Sequence, residues 1–351
     1  MSENPYSDLD PRAFWRPSVS DRSPFDVADL WTPKHPVVQR TRVSTYGSCF
    51  AQHFGRALQR RGFGWLLAET PPEGLSEATA NTFSYGQFSS RPGNIYTTSL
   101  LRQWTDWAIA GGHGPEEVWK KDERYYDPFR PRVEPNGFAS AEEVLASRAV
   151  TIAAFRSSIE TADTLVFTLG LTESWVNIET DYEYPMCPGT VAGDFNPQRH
   201  VFRNQNYPTV RANLVEAIRL MRSVNPKLRF LLTVSPVPLT ATKSDNHVIV
   251  ATTHSKSILR AVAGAVAEEQ RIVDYFPSYE IITSPVFKGM FFEPNQRSVN
   301  PNGVQFVMKH FFAGQERTFG LTLDDADAGR ASRASARDAA CEEELLDAFR
   351  A

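Results

Sequence analysis

Residues 42–61 of this chain read RVSTYGSCFAQHFGRALQRR and join two different local patterns. The β-branched run at 42–45 is typical of a strand, and the residues after position 51 have the spacing of an amphipathic helix. Ser48 and Cys49 therefore lie at a predicted strand-to-helix turn. A helix N-terminus carries unpaired N–H groups and partial positive charge, which favour a thiolate or an oxyanion beside it. The turn predicts a nucleophile, and either of the two side chains could serve.

The rest of the chain continues this alternation of strands and helices. Near-continuous apolar runs at 164–169 and 228–234 are typical of parallel strands covered on both faces, and a third strand is predicted at 271–275. Helical patterns lie between them. The alternation predicts an α/β fold, a three-layer α/β/α sandwich with a mostly parallel sheet. Because such sheets bind ligands at the carboxyl ends of their strands, residues that follow a strand are the candidates for a site.

Composition and charge narrow the classes of function. The net charge is −4, which gives no sign of nucleic-acid binding. No apolar run approaches the ~18 residues that a membrane span needs, and the N-terminus lacks the apolar core of a signal peptide. The three cysteines are widely spaced, which is typical of a reducing compartment. We expect a cytoplasmic protein with no metal or other cofactor, since no Cys or His pair has zinc-ligand spacing.

Residues 47–51, GSCFA, resemble the signature of the GSCFA-domain family, which is similar to the SGNH/GDSL hydrolase superfamily. SGNH enzymes carry Gly-Asp-Ser after their first strand, and the Ser is the nucleophile. On that pattern Gly47 matches the Gly, Ser48 the Asp and Cys49 the nucleophile. The resemblance therefore favours Cys49, with Ser48 as the alternative, and it implies an SGNH-like, flavodoxin-like sandwich. A thiol nucleophile needs little activation.

The resemblance also divides the chain into three segments. It covers about residues 38–318, which we predict to be the GSCFA/SGNH-like domain. Residues 1–37 are rich in Pro, Asp and Ser and are predicted to form an N-terminal arm. Residues 319–351 are rich in Asp and Ala and are predicted to form a flexible C-terminal tail.

In SGNH enzymes, a Gly from a second sequence motif and an Asn from a third sequence motif also help to hold the oxyanion. Gly93-Asn94 resembles a segment of GSCFA proteins, and residues 170–173, GLTE, lie where the third motif is expected. Thr172 stands there in place of the Asn. An ordinary turn would also explain Gly93-Asn94, and Glu173 could be a simple loop carboxylate. The implied oxyanion- and substrate-binding residues are Gly47, Gly93, Asn94, Gly170, Thr172 and Glu173.

The catalytic base is where this chain departs from the superfamily. SGNH enzymes carry Asp-x-x-His late in the chain, whereas residues 297–301 read RSVNP here. Asn300 stands at the His position, where it cannot accept a proton, and we count it among the substrate-binding candidates. His247 and His254 follow the second buried strand and are expected near the carboxyl edge. We predict His247 as the base, oriented by Asp245, and His254 as the alternative.

The resemblance implies an esterase or O-acyltransferase. Its substrate would be a small-molecule or carbohydrate acyl ester, for example on a polysaccharide. Asn300 supports a different class, an SGNH-like glycan-binding module that has lost its catalysis. Covalent modification of Cys49 by an acyl probe would distinguish the enzyme from the module.

Overall fold

The computed structural model describes residues 4–111 and 114–321, so residues 322–351, most of the predicted tail, lie outside the described residues. The strands of this part are β1 (Val43–Gly47), β2 (Trp119–Lys121), β3 (Arg124–Tyr126), β4 (Thr164–Leu169), β5 (Glu173–Asn177), β6 (Tyr182–Tyr184), β7 (His200–Asn204), β8 (Arg229–Val234) and β9 (Val273–Tyr275). Its α-helices are α1 (Phe50–Arg60), α2 (Glu77–Thr82), α3 (Thr98–Thr105), α4 (Ala141–Thr161), α5 (Tyr207–Val224), α6 (Val248–Glu269), α7 (Ser278–Thr283) and α8 (Pro301–Phe319).

The central sheet has four parallel strands in the order β1-β4-β8-β9. Gly47 of β1 lies opposite Thr168 of β4, and Thr168 lies opposite Thr233 of β8. In this register the carboxyl ends of β1, β4 and β8 reach the same edge of the sheet. The predicted parallel α/β sheet is therefore confirmed, and the turn after β1 lies at the edge where ligands of such sheets bind.

Helices cover both faces of this sheet. Leu165 and Phe167 of β4 belong to one apolar core with α4, α5 and α6, whereas Val166 between them belongs to a second core with α1, α7 and α8. Successive side chains of a strand point to opposite faces, so the two cores lie on opposite sides of the sheet. The predicted three-layer α/β/α sandwich is confirmed. Within residues 4–111 and 114–321, no helix has the length and apolar character to cross a membrane.

The segment before β1 packs against the second of these two cores. The buried ring of Trp31 lies with its centroid 4.9 Å from that of Phe276 and 5.4 Å from that of Phe311. Trp15 and Phe25, which lie earlier in the predicted arm, are exposed. Burial of an aromatic ring this size stabilises the folded state, so Trp31 anchors the segment to the domain.

A second, antiparallel sheet begins directly after β4. Its strand order is β6-β5-β7, and residues 170–172 separate β4 from β5. The chain therefore leaves the carboxyl edge of the central sheet and enters this smaller sheet at once. Residues 170–173, which include several of the predicted site residues, are held between the two sheets.

Candidate active site

The turn after β1 has the strand-to-helix geometry that the sequence predicts. Gly47 has a φ of +132°, and a Cβ added there would lie 2.4 Å from the backbone oxygen of Thr168. Only glycine fits this backbone and this close approach. The Ser48 N–H donates to the same Thr168 oxygen at 3.1 Å, and α1 begins two residues later. The turn is thereby fixed against the neighbouring strand β4.

A small cavity opens beside this turn at the carboxyl edge of the sheet. Its volume is about 10 Å³, and Ser48 and Cys49 in its wall are 2% and 5% exposed. The Ser48 Oγ is buried and has no hydrogen-bond partner among the described residues. An unpartnered buried hydroxyl is costly unless a ligand or water satisfies it. The residues lining this nucleophile cavity are Ser48, Cys49, Tyr96, Gly170, Leu171, Ser235, Val237 and Lys256.

Lys256 brings a charged group to the nucleophile cavity. It lies on α6, is 1% exposed, and its Nζ donates to the Gly170 oxygen at 2.7 Å. A buried lysine is uncommon because its charge is costly away from water. The place of Lys256 in the same cavity wall as Cys49 and Ser48 therefore makes it a candidate functional residue. A cation next to a cysteine favours the thiolate. The sequence signal for Lys256 was its place in the segment 255–257, SKS, which resembles a motif of the family.

The predicted residues Gly93 and Asn94 lie next to the turn. The N–H of Ile95 donates to the Gly47 oxygen at 2.9 Å, and the Gln52 amide of α1 donates to Asn94 Oδ1 at 3.4 Å. Asn94 is buried, and Gly93 has a φ of +72°. Neither residue is among those that line the nucleophile cavity in the described part of the chain. This loop reaches the cavity through Tyr96 instead, which sequence reasoning missed.

Buried ion pairs fix the start of this loop. The Arg91 and Glu69 side chains are each 6% exposed, and Arg91 Nη1 lies 3.4 Å from Glu69 Oε1. The Arg91 N–H also donates to Glu69 Oε2 at 2.9 Å. Further along the loop, the Tyr96 oxygen accepts the N–H groups of Gly170 at 2.9 Å and Leu171 at 3.0 Å. The loop is thereby bonded to the end of β4.

Residues 170–173 divide between the nucleophile cavity and its surroundings. A Cβ on Gly170 would lie 3.1 Å from both the Ser48 Cβ and the Tyr96 oxygen, so glycine permits this convergence. Thr172 is fully buried, donates from Oγ1 to Asn204 Oδ1 at 2.7 Å, and is held away from the cavity. Glu173 accepts from Thr242 at 2.7 Å, and partial burial raises its pKa. Of residues 170–173, Gly170 and Leu171 line the cavity.

The two predicted histidines lie outside the nucleophile cavity. His247 is exposed at the N-cap of α6, where its Nδ1 accepts the Ile249 N–H at 3.2 Å. His254 is also exposed, about two turns further along the same helix. Neither is among the described residues that line the cavity. Lys256, two residues after His254, is the α6 residue that enters the cavity.

Asn300 forms a helix cap. Its Oδ1 accepts the Gly303 N–H at 2.9 Å at the start of α8, and its Nδ2 donates to the Met290 oxygen at 2.9 Å and the Phe292 oxygen at 3.3 Å. Both ends of the amide are therefore used in the fold. Arg297, three residues before Asn300, donates from Nε to the Pro238 oxygen at 3.2 Å.

Nothing in the described residues forms a metal centre. No group of three or more His, Cys, Asp or Glu side chains there could hold a metal ion. The polar side chains in the wall of the nucleophile cavity are those of Ser48, Cys49, Tyr96, Ser235 and Lys256.

Comparison with known proteins identifies the family. The model of the GSCFA family matches residues 42–311, which include both the turn at 47–49 and Asn300. This chain belongs to the GSCFA family, as the motif at 47–51 predicts. No curated protein matches it, and no solved structure does.

Proposed function

We propose that this protein is an acyl-ester hydrolase or O-acyltransferase and that Cys49 is its nucleophile. The observation that carries the proposal is the meeting of Ser48, Cys49 and Lys256 in one cavity at the carboxyl ends of parallel strands. Acyl transfer needs a nucleophile, a group that moves a proton and donors for an oxyanion. These three side chains and the N-terminus of α1 supply each of those parts.

The proposed reaction starts from a Cys49 thiolate beside the Lys256 ammonium group. The sulfur attacks the ester carbonyl carbon, a C–S bond forms, and the C–O bond to the alcohol breaks. Lys256 gives a proton to the departing alkoxide, which leaves a thioester on Cys49 and a neutral amine on Lys256. Water, or an acceptor hydroxyl in a transferase, then attacks the thioester and gives its proton back to Lys256. The C–S bond breaks and the thiolate is restored.

Ser48 has a separate role in this proposal. Its unpartnered Oγ is a donor for the oxyanion that forms during attack. The Ala51 and Gln52 N–H groups of α1 already donate to the Ser48 and Cys49 oxygens, so the start of the helix contributes its partial positive charge. Lys256 serves as the proton carrier because it lines the cavity, whereas His247 is exposed at a helix cap. The nucleophile turn resembles that of SGNH hydrolases, which suggests an acylated carbohydrate or small alcohol as the substrate. Lys256 would then replace the histidine of their dyad.

Trapping the acyl-enzyme tests this proposal. The purified chain is mixed with p-nitrophenyl butyrate, quenched in acid, and its mass and modified peptide are determined. We expect a butyryl adduct on the peptide that contains Cys49, absent in Cys49→Ala. Ser157→Ala, which removes an exposed hydroxyl on α4, is the matched control and should form the adduct normally. An adduct on Ser48 would make Ser48 the nucleophile.

A second candidate function is a glycan-binding module without catalysis. The cap formed by Asn300 favours it, because this residue stands where the superfamily has its base and is fully engaged in the fold. Absence of any adduct, together with unchanged binding of an acylated oligosaccharide by Cys49→Ala, would favour the module over the enzyme.

A further inference from the structure

The nucleophile cavity adjoins a much larger apolar cleft. The cavity, at about 10 Å³, has room for roughly one small group the size of a water molecule. The cleft has a volume of about 430 Å³, within the range of small-molecule sites. Leu171 lines both spaces. A substrate whose carbonyl reaches Cys49 must therefore place its remaining atoms outside the cavity, and the cleft is the adjoining space.

The walls of this cleft are mainly apolar and aromatic. Trp175 of β5 lines the cleft together with Phe195 and Phe202. The centroid of its ring lies 5.3 Å from that of Phe195 and 5.8 Å from that of Phe202. Met186 and Leu239 are buried in the wall, next to the half-buried thiol of Cys187. Phe195 nevertheless remains 45% exposed. Exposed aromatic surface in a concave site usually marks a binding site for an apolar group.

We propose that this cleft binds the apolar acyl chain of the substrate, so that the enzyme prefers medium-chain acyl esters to acetyl esters. This inference rests on the proposed function. The acyl group stays attached to Cys49 while the alcohol leaves, so the space next to the cavity must accept it. Glu173, Thr242 and Lys243 supply polar groups at this cleft, but most of its wall is apolar, so a hydrocarbon chain gains from burial of its surface there.

A polar cleft elsewhere provides a comparison. It lies between α3 and α5, has a volume of about 650 Å³, and includes Arg102, Asp106 and Asn213 in its wall. Among the described residues it shares no lining residue with the nucleophile cavity. The apolar cleft shares Leu171 with the nucleophile cavity, and this distinguishes it as the proposed acyl site.

Two matched variants test the chain-length preference. Ala241 is exposed and lines the apolar cleft, whereas Ala212 is exposed and lines the polar cleft. For the wild-type chain we expect kcat/KM to be about tenfold or more higher for p-nitrophenyl octanoate than for the acetate ester. Ala241→Trp, which fills the apolar cleft, should remove this preference, and Ala212→Trp should retain it. Loss of the preference in Ala212→Trp alone, or a flat profile in the wild-type chain, would overturn the inference.

Thiol labelling tests the cleft independently of catalysis. In Cys49→Ala, labelling of Cys187 by N-ethylmaleimide is followed by peptide mass spectrometry, with added N-acetylcysteine as the reference thiol. Octanoate should slow labelling of Cys187 about tenfold or more relative to N-acetylcysteine, and acetate should not. Protection of Cys187 by octanoate without any ester hydrolysis by the wild-type chain would support acyl binding in the cleft and contradict the proposed enzymatic activity. Ester hydrolysis without protection of Cys187 would support the enzymatic activity and contradict acyl binding in the cleft.

Discussion

The turn that carries Ser48 and the turn that carries Asn300 both lead into a helix, but they use their polar side chains differently. The Asn300 amide caps α8 and bonds to two further backbone oxygens. The Ser48 hydroxyl bonds to no described residue and instead lines a cavity. A polar side chain that completes a helix end stabilises the fold, whereas one left unpartnered in a cavity is available to a ligand.

Charge distinguishes the same two regions. Lys256 reaches the Ser48 turn from α6, while Asn300 is neutral and is bonded to backbone groups. The superfamily resemblance places the nucleophile at the first turn and the base at the second. In this chain both the candidate nucleophile, Cys49, and the proposed proton carrier, Lys256, line the cavity at the first turn. The four predictions that follow test whether all of the chemistry lies there.

The largest effect is expected from removal of the candidate nucleophile. Cys49→Ala should lower kcat for an activated ester by on the order of 10⁴-fold or more, because the covalent path is lost. Ser48→Ala should lower kcat by on the order of 100- to 1000-fold, the effect of losing one oxyanion donor. Initial rates and thermal melts of both variants are the measurement. Loss of activity in Ser48→Ala together with retained activity in Cys49→Ala would make Ser48 the nucleophile instead of Cys49.

Removal of the buried ammonium group should have the next largest effect. Lys256→Met keeps the length of the side chain and should lower kcat by on the order of 100- to 1000-fold, because the leaving alkoxide loses its proton donor. The loss should be smaller for esters of acidic alcohols, which need no proton. Lys309→Met on the exposed face of α8 is the control. An equal loss of kcat for all leaving groups would mean that Lys256 acts only by positioning Gly170 through their hydrogen bond.

Removal of the Asn300 cap should affect stability and leave activity nearly unchanged. Asn300→Ala is expected to lower the free energy of unfolding by about 1–2 kcal/mol, since a helix N–H and two backbone oxygens lose a partner. Asn206→Ala, at the N-cap of α5, removes a comparable cap and should cost a similar amount. Denaturant unfolding and kcat are measured together. A fall of kcat by tenfold or more in Asn300→Ala would extend the site to the second turn.

The smallest effect is expected at the exposed histidine that the sequence favours as base. His247→Gln should change kcat by less than about threefold, because general-base catalysis requires contact with the reacting groups. His254→Gln is the companion variant on the same helix. A loss of about 100-fold in His247→Gln alone would instead support the assignment made from the sequence and would require movement of the α6 N-terminus toward Cys49.

Local pattern was sufficient for the fold and for the position of the turn that carries Ser48 and Cys49. Strand β4 and the turn at Gly47 could be predicted, because each depends on the burial and hydrogen bonding of a few neighbouring residues. The motif at 47–51 also identified the family. The position of Asn94 beside the turn was anticipated as well, although Tyr96 is the residue of that loop in the cavity wall.

Only the tertiary structure decided which distant side chains join Cys49. Lys256 donates to Gly170 across 86 positions of sequence, and no local pattern encodes which face of α6 reaches that oxygen. The resemblance to SGNH hydrolases implies a histidine at the position of Asn300, but the use of Asn300 as a cap depends on where the backbone of Met290 lies. Periodicity reports which residues are buried, whereas the packing of helices on a sheet determines which buried residues meet.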